Sequence, residues 1–171
     1  IDGLRDLPDR ITLFPGFLLK SFGGIDTRGV IAAPVSGDRP QWPVIVFSPG
    51  YGAPRAFYTS LATGLASRGY VVLALDHPYE SAVTELADGR IVGDQLSFTS
   101  DHAAGNAFMA SQLDVRVADV RFVLDQLERR ALGALSVHFD AAHVAVIGHS
   151  FGGATAAATM DRDPRVKAAA N

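Results

Sequence analysis

The stretch His143-Val-Ala-Val-Ile-Gly-His-Ser-Phe-Gly-Gly-Ala-Thr155 decides how the chain is read. Val144, Val146 and Ile147 form a short β-branched run that leads directly into Gly148-His149-Ser150-Phe151-Gly152. The small residues Gly153-Ala154-Thr155-Ala156-Ala157-Ala158 follow, a composition suited to a closely packed helix. Strand, sharp turn and helix with a serine at the apex is the setting that turns a G-x-S-x-G match into a nucleophile elbow. The glycines answer a steric need. A serine forced into a strained turn brings the residues two positions away from it together, and a Cβ at either would clash. Without its context the pattern is short enough to arise by chance. With it, Ser150 is the candidate nucleophile.

Outward from the elbow, the chain reads as alternating strands and helices. Pro43-Val-Ile-Val-Phe-Ser48 is a continuous apolar run of the kind buried on both faces of a parallel sheet. The loop Pro49-Gly-Tyr-Gly-Ala-Pro54 leads to a helix of about 14 residues with Phe57, Leu61 and Leu65 on one face, and Tyr70–Leu75 is a second strand. Strand, helix and strand with short connections form a right-handed βαβ unit. Val83–Leu86 and Arg90–Val92 flank the turn signal Ala87-Asp88-Gly89 as a small hairpin. From about Phe108 to Arg130 the apolar positions Ala110, Leu113, Val117, Val120, Leu124, Leu127 and Ala131 recur at helical spacing. Val166–Ala170 starts a further strand, and Thr27–Val35 reads as an edge strand. Residues 1–24, broken by Pro8 and Pro15, read as loops and short extended pieces. The expectation is one domain over residues 1–171, with 1–35 as peripheral strands and loops. A strand cut at its first residues implies an incomplete carboxyl end, and this piece alone is expected to be inactive and poorly soluble.

Composition narrows the function classes. The chain has 171 residues, 48% of them hydrophobic and 19% charged, with a formal net charge of −3. That balance argues against a nucleic-acid or anionic-membrane surface. No apolar run approaches the roughly 18 residues of a membrane span. Zero cysteines exclude disulfides, thiol catalysis and thiolate metal sites. There is no H-E-x-x-H, calcium loop or phosphate loop, and Gly50-Tyr-Gly52 lacks the third glycine of a dinucleotide fingerprint. No metal and no cofactor are expected. The compartment is left open, with secretion or the cell envelope favoured over the cytoplasm.

Phe47-Ser-Pro-Gly-Tyr-Gly52, Tyr58, Leu65-Ala-Ser-Arg-Gly-Tyr-Val72, Asp76-His77 and Ala145–Thr155 together resemble the α/β-hydrolases. Within these, the chain looks most like the platelet-activating-factor acetylhydrolase (plasma/type II) group and its bacterial esterase and lipase relatives, over about residues 40–171. The resemblance implies an α/β-hydrolase fold, a mostly parallel doubly wound sheet with helices on both faces. It also implies a cofactor-free serine esterase acting on short or oxidised acyl chains, a role in lipid degradation. By position, Ser150 matches the nucleophile, and Tyr51 and Phe151 match the oxyanion donors through their backbone N–H groups. Pro49 stands where relatives often carry histidine. The family orders its triad Ser, Asp, His, so both partners are expected beyond Asn171. Asp161 and Asp163 would lie at the opposite end of the sheet from Ser150.

Other residues compete for roles. His149 occupies a variable elbow position and is expected to pack under the turn. His77 is expected to bond Asp76 or backbone, although an order of His77, Asp101 and Ser150 is conceivable. His102 lies in an irregular loop, and His138 and His143 precede the elbow strand at its amino end. Tyr51, Phe57, Tyr79, Phe98 and Phe108 are candidates for an acyl pocket, with core packing favoured for Phe57 and Phe108. Arg129 and Arg130 read as a solvated helix end. The function alternatives are a lipase or polyester hydrolase of the same fold and, in another class, a non-catalytic hydrolase-like binding protein.

Overall fold

A computed structural model describes residue 26, residues 29–95 and residues 101–171. The readings for residues 1–24 and Phe98 lie outside them. In chain order the elements are β1 (Trp42–Ser48), a 3₁₀ turn (Arg55–Tyr58) running into α1 (Thr59–Ala66), β2 (Val71–Ala74), the hairpin β3 (Thr84–Glu85) and β4 (Ile91–Val92), α2 (His102–Glu128), a 3₁₀ turn (Ala134–His138), β5 (Phe139–Gly148), α3 (Phe151–Arg162) and β6 (Val166–Ala170).

The apolar run at β1 becomes the inner strand of a four-stranded parallel sheet ordered β2-β1-β5-β6. Both faces of β1 are covered: Val44 and Val46 are 1% and 0% exposed, Ile45 and Phe47 6% and 3%. Val44 and Val46 join Val144, Val146, Val166, Ala156 of α3 and Val120, Leu124 and Leu127 of α2 in one core. On the opposite face Phe47 stacks at 4.7 Å between ring centroids on Tyr58, just before α1. From β1 the chain crosses to one side through α1, and from β5 it crosses to the other side through α3. The switch point between β1 and β5 is where an open α/β sheet forms its ligand crevice, at the carboxyl ends of the strands. Ser48 and Gly148 are paired in register there.

α2 begins six residues before the periodic pattern, at His102, because the Asp101 carboxylate caps it by accepting from the amides of Ala103 and Ala104 at 2.9 and 3.1 Å. β5 begins earlier than its apolar run. Its register skips from Asp140 to Val144, and the Asp140 carboxylate accepts from the bulged Ala142 amide at 3.1 Å. His143 therefore lies within β5, exposed and bonded to Asp140. The edge strand expected at Thr27–Val35 is not formed by residues 29–35, which run through a turn at Ile31-Ala32 instead. Val30 and Ile31 are 76% and 95% exposed, so that β-branched run has nothing to pack on among the described residues. Phe57 is likewise 42% exposed, which corrects the expectation that it packs in the core.

Where α3 hands over to β6, Asp163 is buried and held by Arg165 at 2.6 and 2.9 Å and by Arg121 at 3.4 Å. Arg165 also reaches Asp125 and Glu128 of α2, fastening the start of β6 to that helix. The Arg165 hydrogen bonds hold the Asp163 carboxyl down at about 2, from an ordinary 3.8. A carboxyl depressed on folding stabilises above its unfolded pKa, and that contribution is lost as pH falls through the folded value. Asp163→Asn is therefore expected to cost about 2 kcal/mol at pH 7, with the deficit shrinking below pH 4 and vanishing near pH 2. Urea unfolding of parent and variant at these pH values checks it; a deficit independent of pH refutes the assignment.

Candidate active site

Ser150 caps α3 at φ 55, ψ −118, a conformation in which an L-residue is strained. The space around it leaves no alternative. A Cβ at Gly148 would run into the backbone of Gly152, and one at Gly152 would run into the carbonyls of Ser48 and Pro49. The turn thus brings the elbow hard against the end of β1, and Ser150 is left exposed at the crest. Among the described residues its Oγ has no hydrogen-bond partner.

The facing loop is pinned amide by amide. The Gly50 N–H donates to the Tyr58 hydroxyl at 3.2 Å, the Gly52 N–H to Glu80 Oε1 at 3.3 Å and the Ala53 N–H to the Gly50 carbonyl at 3.0 Å. Between them the Tyr51 N–H has no partner among the described residues, and the same holds for the Phe151 N–H at the first turn of α3. The Tyr51 and Phe151 rings meet edge to face at 5.7 Å. These are the two amides matched to the oxyanion donors, and both belong to residues beside the elbow. Burial, and next the Glu80 charge, push the Tyr51 phenol up, so it stays neutral.

Under the loop lies a buried polar chain. Asp119 Oδ2 lies 2.7 Å from His77 Nδ1, and Ser48 Oγ lies 2.9 Å from His77 Nε2. Arg116 donates to Ser48 Oγ at 2.9 Å, to the Pro49 carbonyl and to Glu80 Oε1. Donor and acceptor roles close if His77 carries its proton on Nδ1 and accepts from Ser48, while Ser48 accepts from Arg116. Ser48, His77 and Asp119 are thus connected like a hydrolytic triad, yet Ser48 is 0% and His77 3% exposed. No ester reaches a serine so enclosed. Burial pushes the Glu80 carboxyl up against the pull of Arg116, and pushes Arg116 down against the pull of Glu80.

Several expectations for the histidines and aromatics are corrected by this geometry. His77 bonds neither Asp76, which pairs with Arg55 at 2.7 Å, nor Ser150; both its ring nitrogens are engaged below the loop. The order His77, Asp101, Ser150 therefore does not form, and Asp101 serves as the cap of α2. His149 is exposed rather than packed under the turn, and its Nδ1 lies 3.0 Å from the Tyr58 hydroxyl. Of the pocket candidates, Tyr51 lies beside the elbow, Tyr79 is 48% exposed and Phe108 is half-buried along α2. Arg129 and Arg130 are exposed at the end of α2, and α3 carries Asp161 and Asp163 away from Ser150 to its far end. Arg116, Glu80 and Asp119 drew no attention in the sequence. The available signal was an arginine at a stripe position of α2, between Leu113 and Val120, where a solvated side chain does not belong.

No group of three or more His, Asp or Glu placed to hold a metal occurs among the described residues, and no helix among them is long and apolar enough to cross a membrane. Residues 16–170 match the family described as platelet-activating factor acetylhydrolase, isoform II. The chain belongs to that family. It is 34% identical over 136 residues to a probable 1-alkyl-2-acetylglycerophosphocholine esterase of Arthroderma benhamiae, covering 79% of this chain and 32% of the relative. It is 29% identical to the platelet-activating factor acetylhydrolase of Cavia porcellus, covering 90% of this chain and 40% of that protein. Among solved structures it is similar to a ferulic acid esterase from Streptomyces cinnamoneus, at 40% identity and a TM-score of 0.63 over 80% of this chain and 36% of the esterase. The α/β-hydrolase fold of this family accounts for the parallel sheet, its switch point and the elbow on its edge. The chain spans between about a third and two fifths of the length of these relatives.

Proposed function

We propose that the protein is a carboxylic ester hydrolase that works through an acyl-enzyme on Ser150. The observation that carries this reading is the strained Ser150 at the switch point, flanked by the unbonded Tyr51 and Phe151 amides. Ser150 Oγ attacks the ester carbonyl carbon as its proton passes to a histidine base. The carbonyl oxygen takes up negative charge facing the two amides, each such donor being worth about 3 kcal/mol of barrier. Collapse expels the alcohol, which takes the proton from the histidine; water then attacks the acyl-enzyme by the reverse exchange and frees Ser150. Both ring nitrogens of His77 are engaged below the loop, and the base and its orienting acid are assigned to chain beyond Asn171, in keeping with the family order Ser, Asp, His.

The names of the relatives support a substrate class. A relative named for an acetylglycerophosphocholine and a structure named for ferulic acid both point to esters of small acyl groups. In the intact protein a fluorophosphonate probe is expected to label Ser150, and p-nitrophenyl acetate and butyrate to be hydrolysed at least about tenfold faster than the palmitate. A preference for palmitate or for a solid polyester would make the protein a lipase or polyester hydrolase. An unlabelled Ser150 with no turnover of any ester would leave a binding protein of hydrolase shape. Comparing the hydrolysis of methyl ferulate with that of a 2-acetyl glycerophospholipid separates the two small-acyl substrates.

A further inference from the structure

The loop that bears Tyr51 is short, carries two glycines and ends in Ala53-Pro54, so nothing in its own covalent structure fixes the direction of the Tyr51 amide. Its regular neighbours do not fix it either: β1 ends at Ser48 and the next helical turn starts at Arg55. Two backbone bonds help to hold it, from the Ala53 N–H to the Gly50 carbonyl and from the Ala82 N–H to the Gly52 carbonyl, both at 3.0 Å. The remaining ties are side chains, three of them from outside the loop. From above, Tyr58 takes the Gly50 N–H and is bonded in turn to His149 of the elbow. From below, Glu80 takes the Gly52 N–H. Arg116, fully buried, ties the lower side together, because a single guanidinium reaches the Pro49 carbonyl, Ser48 Oγ and Glu80 Oε1. It also lies 4.9 Å from the centroid of the Phe151 ring, so it meets one of the two residues matched to the oxyanion donors directly and the loop that bears the other through Pro49 and, by way of Glu80, Gly52.

Placing an arginine with no exposed surface among Val117, Val120 and Leu124 costs more than an apolar side chain of that volume would. The geometry shows what such a group provides there. A planar fork with five donors can hold a carbonyl, a hydroxyl and a carboxylate in fixed mutual directions, which neither an apolar residue nor a lysine can do. We propose that Arg116, acting with Glu80, is the positioning residue of the oxyanion loop, holding Pro49 and Gly52 so that, of the loop's amides, that of Tyr51 faces the reacting carbonyl alongside the Phe151 N–H. This rests on the Ser150 esterase reading. It predicts an effect on transition-state stabilisation rather than on substrate binding, because the group acts on a donor that is used when charge develops on oxygen.

The test uses the intact protein with Arg116→Lys, which keeps a charge beside Glu80 but loses the fork, and with Arg116→Met/Glu80→Gln, which leaves no buried charge and keeps the fold should the lysine variant fail to form it. Rates are expressed per site titrated by a fluorophosphonate, so that lost folding does not enter them. In both variants kcat for p-nitrophenyl acetate is expected to fall about thirtyfold or more, short of the ~10²–10³ that follows outright loss of a donor. KM stays within about threefold, and the inhibition constant of a trifluoromethyl ketone, which forms a tetrahedral oxyanion on the serine, weakens in proportion to kcat. A kcat per titrated site within threefold of the parent, or an unchanged ketone affinity beside a reduced kcat, overturns the positioning role. Ser150→Ala separates the two readings: if it runs at the parent rate the esterase assignment fails, whereas an inactive Ser150→Ala beside fully active Arg116 variants refutes the positioning role alone.

Discussion

Ser150→Gly in the intact protein is expected to abolish ester hydrolysis and at the same time to stabilise the fold. On the proposed mechanism the loss of activity follows from removing the hydroxyl that forms the acyl-enzyme, and kcat for p-nitrophenyl acetate should fall by roughly 10⁴ or more. The gain in stability follows from the backbone. At φ 55, ψ −118 a side chain is held in a region open to glycine and closed to other residues, at a cost of about 1–3 kcal/mol. Glycine relieves that cost and gives back part of it, up to about 1 kcal/mol, through the freedom it adds to the unfolded chain. The net expectation is a rise of about 1 kcal/mol in the free energy of urea unfolding. Ser150→Ala loses the same activity but keeps a Cβ in the same strained turn, so it should not gain. A glycine variant less stable than the alanine variant would show that the turn is unstrained and that Ser150 is an ordinary helix cap.

Those parts of the molecule that depend on local pattern were legible in the residues. β1, β2 and the elbow strand are apolar runs rich in β-branched residues and closed by Pro or Gly, and a run of that kind has few conformations open to it. The elbow was legible for a stronger reason. Gly148 is required by a collision with the Gly152 backbone that acts within five residues, so spacing carries that part, whereas Gly152 is required by the Ser48 and Pro49 carbonyls of a distant segment. Tyr51 and Phe151 were placed only through the family pattern, since a backbone N–H leaves no mark on the side-chain sequence. Residues 29–35 do not form the strand expected at Thr27–Val35, because such a pattern states which residues would suit a ladder and not whether a partner edge is there to pair with.

The buried chain beneath the loop was illegible for a different reason. Ser48, His77, Glu80, Arg116 and Asp119 come from three separate segments, and only the sheet order brings them together. Each looks ordinary in its own segment: a serine ending a strand, a histidine before proline, and charges on a long amphipathic helix. Arg116 and Asp119 sit one turn apart on α2, which sends both toward the carboxyl edge of the sheet. His149 misled for the same reason in reverse. A residue inside a sharp turn suggests burial, yet the strain that projects Ser150 outward also leaves its neighbour exposed, where it meets Tyr58.

Gly152→Ala should be the most damaging of the glycine-to-alanine changes among the described residues. A Cβ there would meet the Pro49 carbonyl at 2.6 Å and the Ser48 carbonyl closer still, and both are backbone atoms at the end of an inner strand paired on each side. Neither can swing aside as a side chain would, so β1 and α3 must part. Overpacking a core costs about 1–3 kcal/mol when side chains can adjust, and a backbone collision should stand at or above the upper end of that range. One of the displaced atoms, the Pro49 carbonyl, is also gripped by Arg116, so the Tyr51 and Phe151 amides would be driven apart by the same movement. Oxyanion geometry is sensitive to shifts of about 1 Å, and kcat per folded molecule should fall ~10²-fold or more with fluorophosphonate labelling slowed in parallel. Gly148→Ala meets the Gly152 backbone and the Ser48 carbonyl and should behave alike. Gly37, with nothing within 4 Å of an added Cβ, supplies the comparison: Gly37→Ala should leave stability within about 0.5 kcal/mol of the parent. Urea unfolding together with titrated kcat distinguishes the outcomes, and a Gly152→Ala protein as stable and active as Gly37→Ala would mean that the elbow does not press on β1 and that the loop and the nucleophile are positioned independently.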